Sequence, residues 1–452
     1  MTKERGFWGS RLGFVLAAAG SAIGLGAVWK FPYMVGAGGG GAFLLIYLAA
    51  VLGIGIIMML AELAVGRATH TDAVGAFRAL GGKGWSFWGY SSLITGFIIL
   101  SFYCVIGGWT VGYLLKALTG SLFSPNSAAG FKAQFFSFIG DPVYSLIFFA
   151  LFMCLTVGVI LGGVKQGIER VSKFLMPLLF ILMLAMIIRS VTLPGAMAGI
   201  KFFLIPDLGK ITPAVCIDAL GFACFSLSLG FGAMLTYGSY MPKHETMTKA
   251  ALWVIALQTA CVIMAGFMVL PAVFAFGMEP GAGPGLTYIT LPAVFKAMPG
   301  GAVFAVVFFL LLLVAALTSS VSIIEPIVAY FIDQYRVKRN IACWAVAAAS
   351  FAAGIPASWS FGGANLGTLF GLTPFDFMDY ITLNILMPIN VSAACLLMGW
   401  VNNRAFIDEL CVGHETECKE SRLPLWMRYI NFSCKFIAPL GIVMILLTGF
   451  LL

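Results

Sequence analysis

Eleven long apolar runs divide the chain, at about 11–36, 41–66, 88–119, 143–162, 168–191, 214–240, 247–276, 301–332, 341–357, 376–401 and 431–452. Most reach about 20 residues, the length a helix needs to cross a bilayer. Lipid offers the backbone no hydrogen-bond partners, so only helices and closed barrels can span it. Barrel strands would alternate in pieces of ~10 residues, and these runs do not. The chain is 61% apolar and 10% charged, whereas a soluble domain carries about 25% charged residues. The sequence therefore predicts an all-α membrane protein of eleven transmembrane helices, with its termini on opposite sides.

Charge placement orients it. With the N-terminus inside, the cytoplasmic segments hold Lys3, Arg5, Arg67, Arg170, Lys243, Arg336, Lys338, Arg339, Arg422 and others. The outer segments hold only Lys116, Lys132, Arg189, Lys201, Lys210 and Lys296. That is the positive-inside pattern. The net charge of +8 follows from it and requires no nucleic-acid partner. The first run continues past "LAAAGSA" to Trp29 with no polar start after it, so it reads as a retained helix rather than a cleaved signal. The longest polar loop, about 402–430, is too short to bury a core of its own. Most cysteines lie within apolar runs and read as small core residues. Cys411, His414 and Cys418 share one loop, at a spacing too loose for a strong metal signal. With no nucleophile–base pair and no metal motif, the chain does not read as an enzyme.

Two runs are interrupted in the same way. The first breaks at Gly24-Leu-Gly-Ala27 and the sixth at Gly230-Phe-Gly-Ala233, each at the head of a block of five spans. Glycine also serves close helix packing. Paired interruptions in corresponding halves, however, point to a transporter's binding site. Unwinding frees carbonyls for a cation and amides for an anion, and half-helix dipoles reinforce both. An amino-acid zwitterion with sodium suits such a place.

The motifs "RLGFVLAAAGSAIGLG…WKFPY", "GGGAF", "CFSLSLGFG", "GPGLTYITLP" and "LTSSVSIIEP" occur in this order along the whole chain. In these the sequence resembles the neurotransmitter:sodium symporter family, in particular its bacterial LeuT-type amino-acid transporters. The resemblance implies the LeuT fold: a 5+5 inverted repeat over 1–191 and 192–401, followed by a cytoplasmic loop and last helix over 402–452. It also implies alternating access driven by sodium, no organic cofactor, and a place in the bacterial cytoplasmic membrane. One sodium site would use the carbonyls of Gly20, Ile23 and Ala315 and the hydroxyls of Thr318 and Ser319. Five neutral oxygens suit a monovalent ion better than Ca²⁺ or Mg²⁺. Thr318 and Ser319 could also bond back to the preceding helical turn.

The amides of Leu25 and Gly26 and the hydroxyl of Tyr103 would take the substrate carboxylate. The carbonyls of Ala22, Phe225, Ser226 and Ser228 would take its ammonium. Ile99, Tyr103, Phe225, Ser228, Phe231, Ser319 and Ile323 would meet its side chain. This wall carries no charge, and a buried unpaired charge is costly, so the expected substrate is a small neutral, apolar amino acid. Arg5 would pair with Asp333 at an inner gate, near Trp8, Ser239 and Tyr240. Lys30 would face Asp379 at an outer gate. Many family members have arginine at the Lys30 position; lysine keeps the charge but loses the planar fork. Gly167 and Pro177 match the spacing at which relatives unwind the fifth span, and equally suit a static kink.

The chain departs from the family at the second sodium site, which would use Ala22, Ala27, Ser226 and Gln258. Ala27 stands where the family has asparagine, and Gln258 where it has asparagine or aspartate. Val262 and Phe222 replace polar residues that balance charge there, although Tyr47 is kept. The expectation is one sodium per cycle, without chloride. Two alternatives stay open here. One is a sodium- and proton-coupled symporter, since Glu62 and Glu325 are acids within spans. The other is a non-concentrating substrate sensor with a transporter fold.

Overall fold

The computed structural model describes residues 6–278, 280, 285–361, 367–414 and 423–451. Apart from two isolated bridges, the regular elements among them are helical. Among the described residues nine helices are long and apolar enough to cross a membrane: Gly41–Thr69, Lys83–Leu118, Pro142–Ile160, Gly163–Val191, Met247–Ala275, Gly301–Tyr335, Arg339–Trp359, Pro374–Val401 and Leu425–Leu447. These are the second to fifth and seventh to eleventh apolar runs. The first run is a bent pair, Arg11–Ala22 and Gly26–Ala37, turned by 50° at its break. The sixth run, expected to break at Gly230–Ala233, is two short helices, Pro213–Ser226 and Ala233–Ser239.

The third and eighth spans make the most extensive helix–helix contact, and the first span lies against the fifth, seventh and eighth. The second half of the sixth span packs along the second. Both broken spans therefore have their interruptions surrounded by continuous helices. Several helices include wide turns with i→i+5 hydrogen bonds, at Val51–Gly55, Gly163–Glu169 and Ile381–Leu386 among others. Such turns often mark functional positions.

The two breaks need glycine for different reasons. In the sixth span Gly230 and Gly232 have φ of +87° and +81°, a region side chains avoid. In the first span the need is for close approach. A Cβ at Gly24 would sit 2.9 Å from Tyr103 Oη and collide with Ser319 Oγ; one at Gly26 would collide with the Phe225 ring.

At the Trp8 end, Arg67 is fully buried and joins three segments. Its Nε pairs with Glu409, Nη2 donates to the Glu409 carbonyl, and Nη1 donates to the Glu245 carbonyl at 2.6 Å. Lys243 pairs with the same carboxylate at 2.7 Å. This ties the end of the second span to the loop before the seventh and to the short helix Asn403–Cys411.

Candidate functional site

The first-span break lies between the third and eighth spans. Leu25 N donates to Tyr103 Oη at 3.2 Å, so one expected carboxylate-binding amide already faces the expected hydroxyl. Ser228, itself in the left-handed region at φ +55°, donates from Oγ to the Ser21 carbonyl at 2.8 Å. This bond joins the two breaks. Gly96 of the third span abuts Phe231 and the Ile323 carbonyl. Ile99, Tyr103, Phe231, Ser319 and Ile323 are buried, and the Phe225 ring, partly buried, lies against Gly26. The expected substrate residues thus cluster around one point of the fold.

The first and eighth spans also meet where the sodium ligands were expected. Ser319 Oγ donates to the Ser21 and Gly20 carbonyls at 2.9 and 3.3 Å. Thr318 Oγ1 bonds back to the Ala315 and Val314 carbonyls at 3.0 and 3.2 Å. The back-bonding reading of this threonine is what the structure shows, and it places the hydroxyl beside the carbonyl of Ala315, another expected ligand. Ile23 is buried and ends the first half-helix. A Cβ on Gly20 would lie 3.2 Å from Thr318 Cβ and from Met176 Sδ, so Met176 of the fifth span closes one wall.

The second-sodium region is organised differently. Gln258 is fully buried and donates from Nε2 to Tyr47 Oη at 2.7 Å. Tyr47 Oη lies 2.9 Å from Ser226 Oγ, which donates to the Ala223 carbonyl at 3.2 Å. An amide N–H can only donate and the serine hydrogen is already committed, so the tyrosine hydrogen goes to the serine. The result is a one-way chain, Gln258 to Tyr47 to Ser226 to Ala223, with no charged member. Phe222 and Phe31 pack on Tyr47, with ring centroids 5.4 Å away in each case. Ala27 is buried and brings no polar atom from its side chain.

The two ends of the site differ. At one end Trp8 is buried; its Nε1 donates to the Tyr237 carbonyl at 3.0 Å and its backbone N to the Tyr240 carbonyl at 3.1 Å. Tyr240 Oη donates to Glu325 at 2.8 Å, and the Arg339 guanidinium forks onto both oxygens of that carboxylate. Asp333 belongs to the same eighth-span helix; Arg5, its expected partner, lies outside the described residues. At the other end Lys30, Asp379, Asp376, Tyr33, Trp29, Tyr103 and Phe225 line a cavity of about 210 Å³. Lys30 Nζ sits 5.2 Å from the Phe225 ring centroid, a cation–π distance. The lysine thus touches the lid expected over the substrate as well as sharing the cavity with Asp379.

Asn390 escaped the sequence reading. Its Nδ2 donates to the Gly230 carbonyl at 2.8 Å and to Thr95 Oγ1 at 3.0 Å. Glu62 accepts from Gly230 N at 2.7 Å. The polar groups freed at the sixth-span break are thereby held from the tenth and second spans. The signal was present, since an amide inside an apolar run is a functional pointer. Of the loose metal trio, Cys418 lies outside the described residues. His414 Nε2 bonds Thr248 at 2.9 Å; its burial and the nearby Lys249 pull its pKa below the ordinary histidine range. Among the described residues no group of three potential ligands could hold a metal.

The description of the sodium:neurotransmitter symporter family matches the chain over residues 5–134 and 131–451. A sodium-dependent transporter of Bacillus subtilis, YhdH, is 40% identical over 441 residues, covering 97% of this chain and 96% of its own. The human sodium- and chloride-dependent GABA transporter 2 is 27% identical over 463 residues, covering 91% and 73%. The crystal structure of MhsT in complex with L-phenylalanine superposes with a TM-score of 0.90 at 41% identity, covering 99% of this chain and 100% of that one. The chain belongs to the sodium:neurotransmitter symporter family: it is a multi-pass, sodium-dependent transporter with the LeuT fold, and not an enzyme.

Proposed function

We propose that the protein imports a neutral, apolar amino acid across the bacterial cytoplasmic membrane, with one sodium per cycle and without chloride. The repeats 1–191 and 192–401 would alternate access around the paired breaks, with the N-terminus inside and the C-terminus outside. The substrate class is supported by an expected wall of Ile99, Tyr103, Phe225, Phe231 and Ile323 that carries no charge. MhsT, which binds L-phenylalanine, is a relative of matching class. The sodium would sit among Gly20, Ile23, Ala315, Thr318 and Ser319.

One observation carries the stoichiometry. The Gln258–Tyr47–Ser226 chain commits to itself the amide and hydroxyl hydrogens that a chloride would need, and Ala27 offers no side-chain oxygen to a second sodium. The proton-coupled alternative has less support, because Glu325 is paired with Arg339 and Glu62 holds the sixth-span break.

The test is a flux ratio in proteoliposomes, preceded by a thermal-shift screen of amino acids with and without sodium. Ligand at ~100 Kd raises apparent stability by about 2.7 kcal/mol, so a substrate will stand out. The expected ratio is one sodium per amino acid, unchanged when gluconate replaces chloride. Two sodium ions per turnover, or a chloride requirement, would falsify the reading.

A further inference from the structure

The carboxylate of Glu169 is 2% exposed and reaches across from the fifth span to the start of the first helix. Its Oε2 accepts from Gly9 N at 2.7 Å, and its Oε1 accepts from Ser10 Oγ at 3.0 Å. Ser10 is the N-cap of Arg11–Ala22, and its Oγ accepts from Gly13 N. A Cβ on Gly13 would collide with the Glu169 carboxyl group. A carboxylate at this end of a helix also meets the positive end of its dipole. The first helix is thus gripped at its tip by a group on another span.

Glu169 is the last residue of the wide turn Gly163–Glu169, whose Gly163 is left-handed at φ +72°. Seven residues further along the same span, Met176 covers Gly20 of the expected sodium site. The same two helices therefore touch twice, at the expected sodium site and at the helix tip beside Trp8. An ion leaving towards the Trp8 end needs them to part, and the Glu169 bonds must break first.

We propose that Glu169 is a positioning residue, a latch through which the wide turn of the fifth span controls release of the first helix. The inference rests on the alternating-access reading above. When residues 163–169 change their winding, the carboxylate withdraws, and Gly9 and Ser10 come free together with Trp8. Lys173 makes this withdrawal affordable. Its Nζ lies 2.6 Å from Glu169 Oε1, four residues on along the same helix. It therefore moves with Glu169, whereas Gly9 and Ser10 stay behind. With the latch closed the carboxylate has three donors; with it open, Lys173 is the one that remains.

That asymmetry gives the two charges opposite effects. Glu169→Gln weakens the closed latch and should favour opening at the Trp8 end. Lys173→Gln leaves the closed latch two donors but strands the open carboxylate, and should favour closure. The measurement is amide hydrogen exchange over residues 11–22 of the full-length protein in nanodiscs, with and without sodium. Glu169→Gln is expected to speed exchange about three- to tenfold, the scale of weakening a charge-assisted hydrogen bond. It should also raise the KM for sodium more than it lowers the maximal rate. Glu169→Asp should fall between it and the parent, and Lys173→Gln should exchange more slowly than the parent.

A shift in the same direction for Glu169→Gln and Lys173→Gln would overturn the proposal. So would a lower melting temperature for Glu169→Gln with unchanged exchange over 11–22, which would mean structural support alone. If Glu169→Gln does not fold, Ser10→Ala and Glu169→Asp carry the same comparison against Lys173→Gln. The underlying reading fails separately, if sodium and amino acid leave exchange over 11–22 unchanged in the parent. Neither arm depends on how many sodium ions move.

Discussion

Gly26 and Gly230 carry the same letter and answer to different forces. At Gly26 the constraint is a neighbouring ring: a methyl would meet Phe225, which must then swing off the break. Gly26→Ala is expected to raise the amino-acid KM at least about tenfold, a cost on the order of 1.4 kcal/mol. Sodium-dependent thermal stabilisation should be largely kept, since Thr318 and Ser319 are untouched; isothermal binding and melting curves separate the two. At Gly230 the constraint is backbone hand, to which the close Met387 backbone adds, so substitution there acts on folding before binding. The sequence made both glycines visible as breaks. It could not distinguish their reasons, because one depends on a side chain contributed from another span. Ala27 and Gln258 were legible as departures for the simpler reason that a missing ligand is a missing letter. That Gln258 turns to Tyr47 depends on how the second and seventh spans are rotated against each other, which no single run of sequence encodes.

At the scale of elements, the sixth-span break is held by two neighbours. Glu62 takes the Gly230 amide and Asn390 donates to its carbonyl. Replacing Asn390 with leucine removes that donor and leaves the buried carbonyl without it, a loss of about 1–3 kcal/mol. Asn390→Leu should lower the melting temperature and also weaken amino-acid binding, because Phe231 and Ser228 flank the released glycine. A fall in melting temperature with unchanged affinity would confine Asn390 to structural support. The long spans were legible because apolar length is all that bilayer crossing demands. The fifth span begins at Gly163 rather than at 168 because a wide turn extends it through "GVKQGIE". That turn depends on hydrogen-bond spacing, not on hydropathy. The break of the sixth run was legible from its paired glycines, although its hydropathy does not dip there, because the break is as apolar as its helices.

Across the whole molecule, Arg67 uses three nitrogens to join the second span, the loop before the seventh, and the helix Asn403–Cys411. A lysine would supply a charge but not three divergent donors. Arg67→Lys is expected to lower stability by about 3–5 kcal/mol, the range for breaking a buried pair. A melting curve in detergent checks this, with Lys243→Met, which removes the more exposed partner, expected to cost far less.

The proposed one-sodium cycle also has a bioenergetic consequence. Each sodium entering with a neutral solute delivers about 2.3 kcal/mol per 100 mV of membrane potential and about 1.4 kcal/mol per tenfold sodium gradient. One ion, under a potential of about 100 mV and a tenfold gradient, supports accumulation of roughly 500-fold; two would square that limit to roughly 250,000-fold. A transporter wired for one ion spends half the sodium per amino acid and stops concentrating far sooner. On the one-sodium proposal, the residues around Ala27 and Gln258 would set the scavenging depth of the cell that carries the protein, suiting an environment where amino acids are scarce less well than one where sodium-motive force is.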